Sequence, residues 1–289
     1  VGKLIALATC SNLPSWEVDD RALVEALSER GCAVDVIPWD VPAEWGDYDA
    51  CLIRTTWDYS ERLAEFLAWA HRVAEATRLF NPEPLIEWNA RKGYLLELEQ
   101  AGAPVIPTVW LDPGGAPGGL AAALRRQGWE RAFLKPQVGA SARLTLPFDS
   151  NPDGLAAAEA LLAANPRESW LLQPFLARVL EEGEVSAIFV DGELSHGVRK
   201  TPVAGDYRVQ DDYGARDEPW EPTSAELELC RKIVGLIPGP WLYARVDLLR
   251  DDHGQLVLTE LELIEPSLFF RHDATAADRL AAALLRRLG

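Results

Sequence analysis

The opening stretch of the chain alternates apolar runs with amphipathic segments, and this order limits the possible folds more than any other feature. Leu4–Thr9 (LIALAT) reads as a strand, and Asp19–Arg30 as a helix with apolar residues at helical spacing and Gly31 as its stop. Val34–Pro38 and Ala50–Arg54 read as two further strands, and Ser60–Ala76 as a long helix. Strand–helix–strand–helix order predicts a parallel sheet with right-handed crossovers. Ligands of such sheets gather beyond the carboxyl ends of the strands, which here are Cys10–Ser11 and Arg54-Thr-Thr-Trp57.

Composition shifts at Asn81-Pro-Glu-Pro84, the first expected domain boundary. Beyond it the pattern predicts a helix Ala90–Gln100, a strand Val105–Leu111, a flexible loop Asp112–Gly119 and a helix to Arg126. Strands Ala132–Lys135 and Arg143–Leu146 follow, then a helix Leu155–Ala164 and a strand Trp170–Gln173. Val185–Val190 and Glu193–Arg199 flank Asp191-Gly192, a strong hairpin turn. A helix Ser224–Leu236, a second hairpin and a helix Ala274–Leu288 complete the chain.

That second hairpin is the most informative segment. Leu242–Arg250 and Gln255–Ile264 flank the turn-forming Asp251-Asp252-His253-Gly254. If the loop sets the register, Arg250 faces Gln255, Asp247 faces Leu258 and Arg245 faces Glu260. Side chains alternate at period two, so one face carries Arg245, Asp247, Glu260 and Glu262. The other carries Val246, Leu248, Val257, Leu261 and Leu263, an ordinary core face. Carboxylates gathered this closely raise one another's pKa unless a cation sits among them, and Mg²⁺ with nucleotide phosphates would relieve the repulsion. The rival expectation is a solvent-facing sheet side on which Arg245 pairs with the acids.

A nucleotide needs further groups. Neither a G-x-x-x-x-G-K-[ST] loop nor a G-x-G-x-x-G fingerprint occurs. Two lysines stand out instead: Lys92 at a helix start in Trp88-Asn-Ala-Arg-Lys-Gly93, and Lys135 at the end of an apolar strand. The small-residue loop Gln137–Ala142 follows Lys135, and its backbone N–H groups suit phosphate oxygens.

The element order, with Asp247 and Thr259-Glu-Leu-Glu-Leu-Ile-Glu-Pro266, resembles the ATP-grasp superfamily across nearly the whole chain, and in layout the glutathione synthetase branch. The segments RTTWDY (Arg54–Tyr59), WNARKGYL, QPF, ELSHGVRK (Glu193–Lys200) and ELELIEPSL are also similar to the cyclo-ligase that closes O-ureidoserine into cycloserine. The resemblance implies an α/β chain, α+β in its C-terminal part. Residues 1–85 would form a small parallel-sheet substrate domain, 86–172 the central and 173–289 the C-terminal ATP-grasp subdomain. It also implies two Mg²⁺ ions on Asp247, Glu260 and Glu262, where Glu262 replaces the commoner Asn. Lys92 and Lys135 would meet the ATP phosphates. Gln173, Phe175 and Leu176 would form the adenine hinge, and Glu184 would hold the ribose. Arg199, Lys200, Arg208 and Arg245 would serve the γ-phosphate and the acyl phosphate; Arg54, Trp57, Glu265, Ser267 and Arg271 are the expected substrate contacts. The expected activity is ATP- and Mg²⁺-dependent ligation of a small carboxylate to an amine through an acyl phosphate. An intramolecular cyclo-ligase and a non-catalytic ATP-binding module are the alternatives.

Composition agrees with such an enzyme. The 289 residues carry 45 Asp and Glu against 28 Lys and Arg, a net charge of −17 that repels a phosphate backbone or an anionic membrane. Small-molecule substrates are the expected partners, with a homo-oligomer left open. The four cysteines lack C-x-x-C spacing, the four histidines are scattered, and the opening apolar run is short and leads into a Pro/acidic segment. These features point to reduced thiols, no histidine metal site and a cytoplasmic location.

Overall fold

The computed structural model describes residues 2–13, 17–115, 119–210 and 213–289. The expected mixed α/β class is the one observed, built on three sheets. Strands β1 (Leu4–Thr9), β2 (Ala33–Pro38), β3 (Ala50–Thr55) and β4 (Arg78–Phe80) form a parallel sheet of order β2-β1-β3-β4. Strands β5 (Val109–Leu111), β6 (Arg131–Pro136), β7 (Leu146–Asp149) and β8 (Trp170–Pro174) form an antiparallel sheet of order β5-β8-β6-β7. Strands β9 (Glu184–Val190), β10 (Glu193–Thr201), β11 (Arg216–Pro219), β12 (Tyr243–Arg250) and β13 (Leu256–Glu262) form the third, also antiparallel, of order β11-β10-β9-β12-β13.

The β9–β10 turn shows why the Asp-Gly pair was informative. Asp191 and Gly192 both have positive φ, 52° and 93°, which matches the right-handed twist of the strands it joins. Elsewhere proline redraws the expected elements. Pro107 lies within the run read as one strand, and only Val109–Leu111 is ladder, with Val105 making an isolated bridge to Leu258. The Pro-rich boundary is itself a helix, Glu83–Asn89, because Pro84 occupies its first turn, where no N–H is needed. The expected helix Ala90–Gln100 starts only at Tyr94, and the break before it holds Lys92. The expected strand Arg143–Leu146 forms instead over Leu146–Asp149.

That boundary segment is fastened to the third sheet. Asn81 Nδ2 donates to the Tyr243 and Leu263 carbonyls (2.9 and 2.7 Å), and its Oδ1 accepts the Leu242 N–H (2.6 Å). Asn89 bridges the Leu261 carbonyl and the Leu263 N–H in the same way (2.8 and 2.9 Å). Two amides thus supply the hydrogen bonds that a neighbouring strand would make, and Leu95, Leu98 and Ile106 enter the core beneath β12 and β13. The first and third sheets also share a core. Leu23 and Leu27 of the helix Arg21–Glu29 pack with Leu280 and Leu284 of the helix Ala276–Leu288 and with Ile188 and Val198 of β9 and β10. This packing brings the carboxyl end of β3 beside the exit of β13.

The register of β12 and β13 differs from the expectation. Asp251 N–H donates to the Gln255 carbonyl, and Arg250 pairs with Leu256, Leu249 with Val257 and Leu248 with Leu258. Continued unchanged, that register would set Asp247 opposite Thr259 and turn Glu260 into the core. A bulge intervenes: Asp247 pairs with Glu260 and Arg245 with Glu262, leaving Thr259 as the extra residue, its Oγ1 donating to the Asp247 carbonyl (3.0 Å). One added residue reverses which face later side chains occupy, so Glu260 and Glu262 return to the face of Arg245 and Asp247. The expected face is therefore right for these four, although the pairs differ. Leu258, not Val257, shares the core face with Leu248.

All four cysteines are free and buried, and among the described residues no helix is long and apolar enough to cross a membrane.

Candidate active site

A cavity of about 280 Å³ is lined by residues from all three sheets. Its floor is the polar face of the third sheet. Glu184 and Ser186 on β9, Lys200 on β10, Arg245 and Asp247 on β12, and Glu260 and Glu262 on β13 share that face by register. Most of these are charged groups in a water-poor place, so their pairing decides whether the face is tolerable.

Cations meet the acids one by one. Arg245 Nε and Nη2 donate to Asp247 Oδ1 and Oδ2 (3.0 and 2.9 Å), Nη2 also to Glu262 Oε1 (2.5 Å), and Nη1 to the Ser267 carbonyl (3.1 Å). Ser186 Oγ donates to Asp247 Oδ1 (2.5 Å), and Lys200 Nζ lies 3.5 Å from the same oxygen while pairing with Glu184. Lys135 Nζ donates to Glu260 Oε1 (2.9 Å) and to the Thr259 carbonyl (3.3 Å). Lys92 Nζ donates to the Gly139 carbonyl (2.9 Å) and lies 3.6 Å from Glu260 Oε2. The acids are thus neutralised by lysines and an arginine, as in the rival expectation, but on a cavity wall and not a solvent face.

Burial pushes each carboxyl upward, and the neighbours decide the outcome. Arg245 and Lys200 outweigh it at Asp247, which is held well below the usual carboxylate range; Lys135 and Lys92 do the same at Glu260. Glu262 is pushed up to about 7 by burial, with Asp247 and Glu260 adding to it against the pull of Arg245. Glu265 is pushed up to about 8 by burial and then Glu262.

The signs are opposite. Raised groups add stability that is full below the usual glutamate pKa and lost as pH climbs through 7 to 8; lowered groups add stability lost on acidification. The melting temperature of the ligand-free protein should therefore fall between pH 6 and pH 9, and Glu265→Gln should flatten that alkaline limb. Parallel wild-type and variant profiles by thermal shift would contradict the assignment.

The expected site residues do not all converge. Arg199 is the clearest departure. It alternates with Lys200 along β10, pairs with Val185 and so lies on the opposite face of the sheet, outside the cavity lining. Gln173, Phe175, Leu176, Glu184 and Arg208 do line the cavity. Gln173 Nε2 donates to Thr108 Oγ1 (3.0 Å), and the Phe175 N–H is already used by the Arg131 carbonyl (3.1 Å). That N–H is therefore not free to read a base edge. Arg208 is held by Asp206 (2.7 Å) and stacks over Tyr213 (3.6 Å to the ring centroid). Two loops beside the cavity, 137–145 after β6 and 202–215 between β10 and β11, touch. Thr145 Oγ1 and Tyr207 OH share a hydrogen bond (2.8 Å), and Tyr213 OH donates to the Ser141 carbonyl (3.4 Å). Asp211 and Asp212 of the second loop lie outside the described residues.

Arg54, Trp57, Glu265, Ser267 and Arg271 line the other end of the cavity. Arg54 is 1% exposed; its Nε and Nη2 donate to Asp20 (3.1 and 3.0 Å) and Nη2 also to the Pro266 carbonyl (3.1 Å). Trp57 Nε1 donates to the Glu265 carbonyl (3.1 Å). Arg271 pairs with Asp217 and lies 3.6 Å from Asp19. Asp19, Asp20 and Ser186 were missed from sequence. Only for Ser186 was there a signal, the alternation Glu184, Ser186 along β9.

The acids of this face differ in what they offer a divalent cation. Asp247 is enclosed, its side chain 3% exposed, whereas Glu260 and Glu262 are 28% and 26% exposed toward the cavity. Among the described residues no group of three His, Cys, Asp or Glu side chains is disposed to hold an ion by itself. Two accessible carboxylates fit a hard cation that keeps waters and takes further oxygens from phosphates.

Known proteins share this fold. The D-alanine–D-alanine ligase of Bacillus anthracis, solved in complex with ATP, superposes at TM-score 0.68 over 99% of this chain and 97% of its own, at 13% identity. The fold is that of the ATP-grasp ligases. The crystal structure of D-cycloserine synthetase DcsG superposes at TM-score 0.87, with 29% identity over 99% of this chain and 100% of that one. The cycloserine biosynthesis protein DcsG of Streptomyces lavendulae is 33% identical over 99% of both chains, and the D-cycloserine synthetase DcsG N-terminal domain family matches residues 5–81. The chain belongs to the DcsG family and has the ATP-grasp fold.

Proposed function

We propose that the protein ligates a carboxylate to an amine through an acyl phosphate, on a small amino-acid-like substrate, releasing ADP and phosphate. The observation that carries this reading is one cavity holding Lys92, Lys135, Lys200 and Arg245 beside the open carboxylates Glu260 and Glu262, and continuing to Arg54 and Arg271.

Lys92 and Lys135, next to the small-residue loop, would meet the ATP phosphates. Gln173 and Leu176 line the wall for the base, and Glu184 that for the ribose. Glu260 and Glu262, with Asp247 behind them, would hold Mg²⁺, which when bound neutralises triphosphate charge. Arg245 and Lys200, each fixed by two acids, are preorganised to stabilise negative charge on the transferring phosphoryl group and on the acyl phosphate. The amine then displaces phosphate from the acyl carbon and loses a proton, so one C–N bond replaces one C–O bond. The contact between the two loops excludes water, which would otherwise hydrolyse the acyl phosphate.

A specific observation favours cyclisation as the second reading. The relative named for cycloserine biosynthesis matches over the full length, including the substrate end. There, carboxylate and amine would belong to one molecule.

Incubation with Mg-ATP and a panel of L- and D-amino acids, singly and in pairs, and of aminooxy and ureido derivatives of serine, should release ADP and phosphate with a true substrate. One ADP per molecule of a single compound, with loss of water from it, identifies cyclisation; a requirement for two compounds identifies intermolecular ligation. ATP binding with no turnover on any member would instead identify a non-catalytic module.

A further inference from the structure

Phe269 has a backbone that a phenylalanine seldom takes. Its φ and ψ of 49° and 45° lie in the left-handed region, where Cβ crowds the following carbonyl, and it is the one aromatic residue of positive φ among the described residues. The chain on both sides holds it there. Arg245 Nη1 donates to the Ser267 carbonyl (3.1 Å), the Phe270 and Arg271 N–H groups donate to the Asp19 carboxylate (2.8 Å each), and the His272 N–H donates to the Phe269 carbonyl (3.0 Å). A strained conformation that its surroundings over-determine points to a task for the side chain.

Two tasks are open to the ring. It is 4% exposed and belongs with Leu268, Phe270 and Leu280 to the core shared by the first and third sheets, which is burial of the ordinary kind. It also lines the cavity, and three cations gather round it. The guanidinium carbons of Arg271 and Arg245 lie 4.9 and 5.6 Å from the ring centroid, and Lys200 Nζ lies 5.9 Å from it. They come from three elements: the turn after β13, β12 and β10. A leucine would fill the core without drawing a charge, whereas an aromatic face carries a negative quadrupole that attracts cations. That attraction uses up no N–H and cancels no charge, as a further carboxylate would.

We infer that Phe269 is a positioning residue of the active site, whose ring holds Arg245, Lys200 and Arg271 in one positive array, so that the terminal phosphoryl group of the nucleotide is met by cations already in place. This goes beyond the ligase reading and rests on it for the identity of the anion. Phe269 acts through the cations and takes no part in bond making.

Binding tests it without turnover. Affinities of Mg-ADP and of a Mg-loaded non-hydrolysable ATP analogue are measured calorimetrically, and their ratio reads the terminal phosphoryl group. Phe269→Leu should lower the analogue-to-ADP affinity ratio about fivefold or more, with ADP affinity changed less than about twofold. Phe269→Tyr keeps the aromatic face and should hold the ratio within about twofold of wild type. Because leucine also alters packing, trifluorophenylalanine is introduced at the same position: it nearly keeps the shape but loses the quadrupole. The ratio should then fall about threefold or more while the melting temperature stays within about 2 °C. A wild-type ratio in the leucine or the fluorinated protein, an equal fall in Phe269→Tyr, or a fall that comes only with a lower melting temperature would overturn the inference. Failure of the ligase reading is separable. A ratio that depends on the ring in a protein releasing no ADP with any substrate sinks that reading alone; ADP release with a ratio indifferent to the ring sinks this inference alone.

Discussion

Glu260→Gln should reduce Mg-ATP-dependent ADP release by at least about 10²–10³-fold while the protein stays folded. The side chain is the point on which Lys135 (2.9 Å) and Lys92 (3.6 Å) converge, and it faces the cavity with 28% of its surface open. The amide keeps the shape and one acceptor oxygen but removes the charge that holds two ammonium groups side by side. It also removes an anionic donor from the proposed cation site, so turnover should not be restored by added Mg²⁺. The fold should survive because Glu260 is a quarter exposed, and solvent and counterions can take up part of the lost attraction. Circular dichroism and a melting curve establish the fold; a coupled ADP assay reads the activity. Wild-type turnover in the variant would remove Glu260 from the phosphate and metal machinery.

The importance of this residue was legible from sequence because period-two alternation puts Arg245, Asp247, Glu260 and Glu262 on one face under any odd register sum. The pairing itself was not. The Asp251–Gly254 loop fixes one register and the Thr259 bulge another, and a bulge leaves no mark in an alternating pattern when a threonine suits either face. Arg199 and Lys200 show the opposite case. The sequence groups them as neighbours in a basic motif, but alternation along β10 sends them to opposite sides, and the strand period outranks the motif.

At the substrate end, long-range contact hid the rest. Arg54 was visible at a strand end, but its partner Asp20 lies 34 residues away and the Pro266 carbonyl 212 away. Asp20 reads in sequence as an ordinary acid in the first turn of a helix. Nothing local distinguishes it from an exposed one, because its surroundings come from distant chain: Arg54 at the end of β3, and the segment whose Phe270 and Arg271 N–H groups bond the adjacent Asp19. The contacts of the Pro-rich segment are hidden for a related reason: Asn81 and Asn89 bond backbone atoms some 160 to 180 residues later.

Asp20 carries the second large effect. Its side chain is 3% exposed and that of Arg54 not at all, and the pair is closed by two hydrogen bonds. Asp20→Ala leaves a buried guanidinium without its anion, which costs about 3–5 kcal/mol. At about 2–4 °C per kcal/mol for a chain of this order, the melting temperature should fall by roughly 6–20 °C. Replacing both charges removes that penalty, since apolar groups of similar volume often match a buried ion pair in stability. The double variant Asp20→Leu/Arg54→Met should therefore recover most of the lost melting temperature. It should not recover activity. Arg54 Nη2 ties the end of β3 to the Pro266 carbonyl beside the cavity end proposed to take the substrate, so losing the guanidinium loosens that wall. KM for the carboxylate substrate of the proposed reaction should rise at least 10-fold with KM for ATP little changed, which separates recognition from stability. A double variant that is both stable and fully active would show that the pair serves the fold alone.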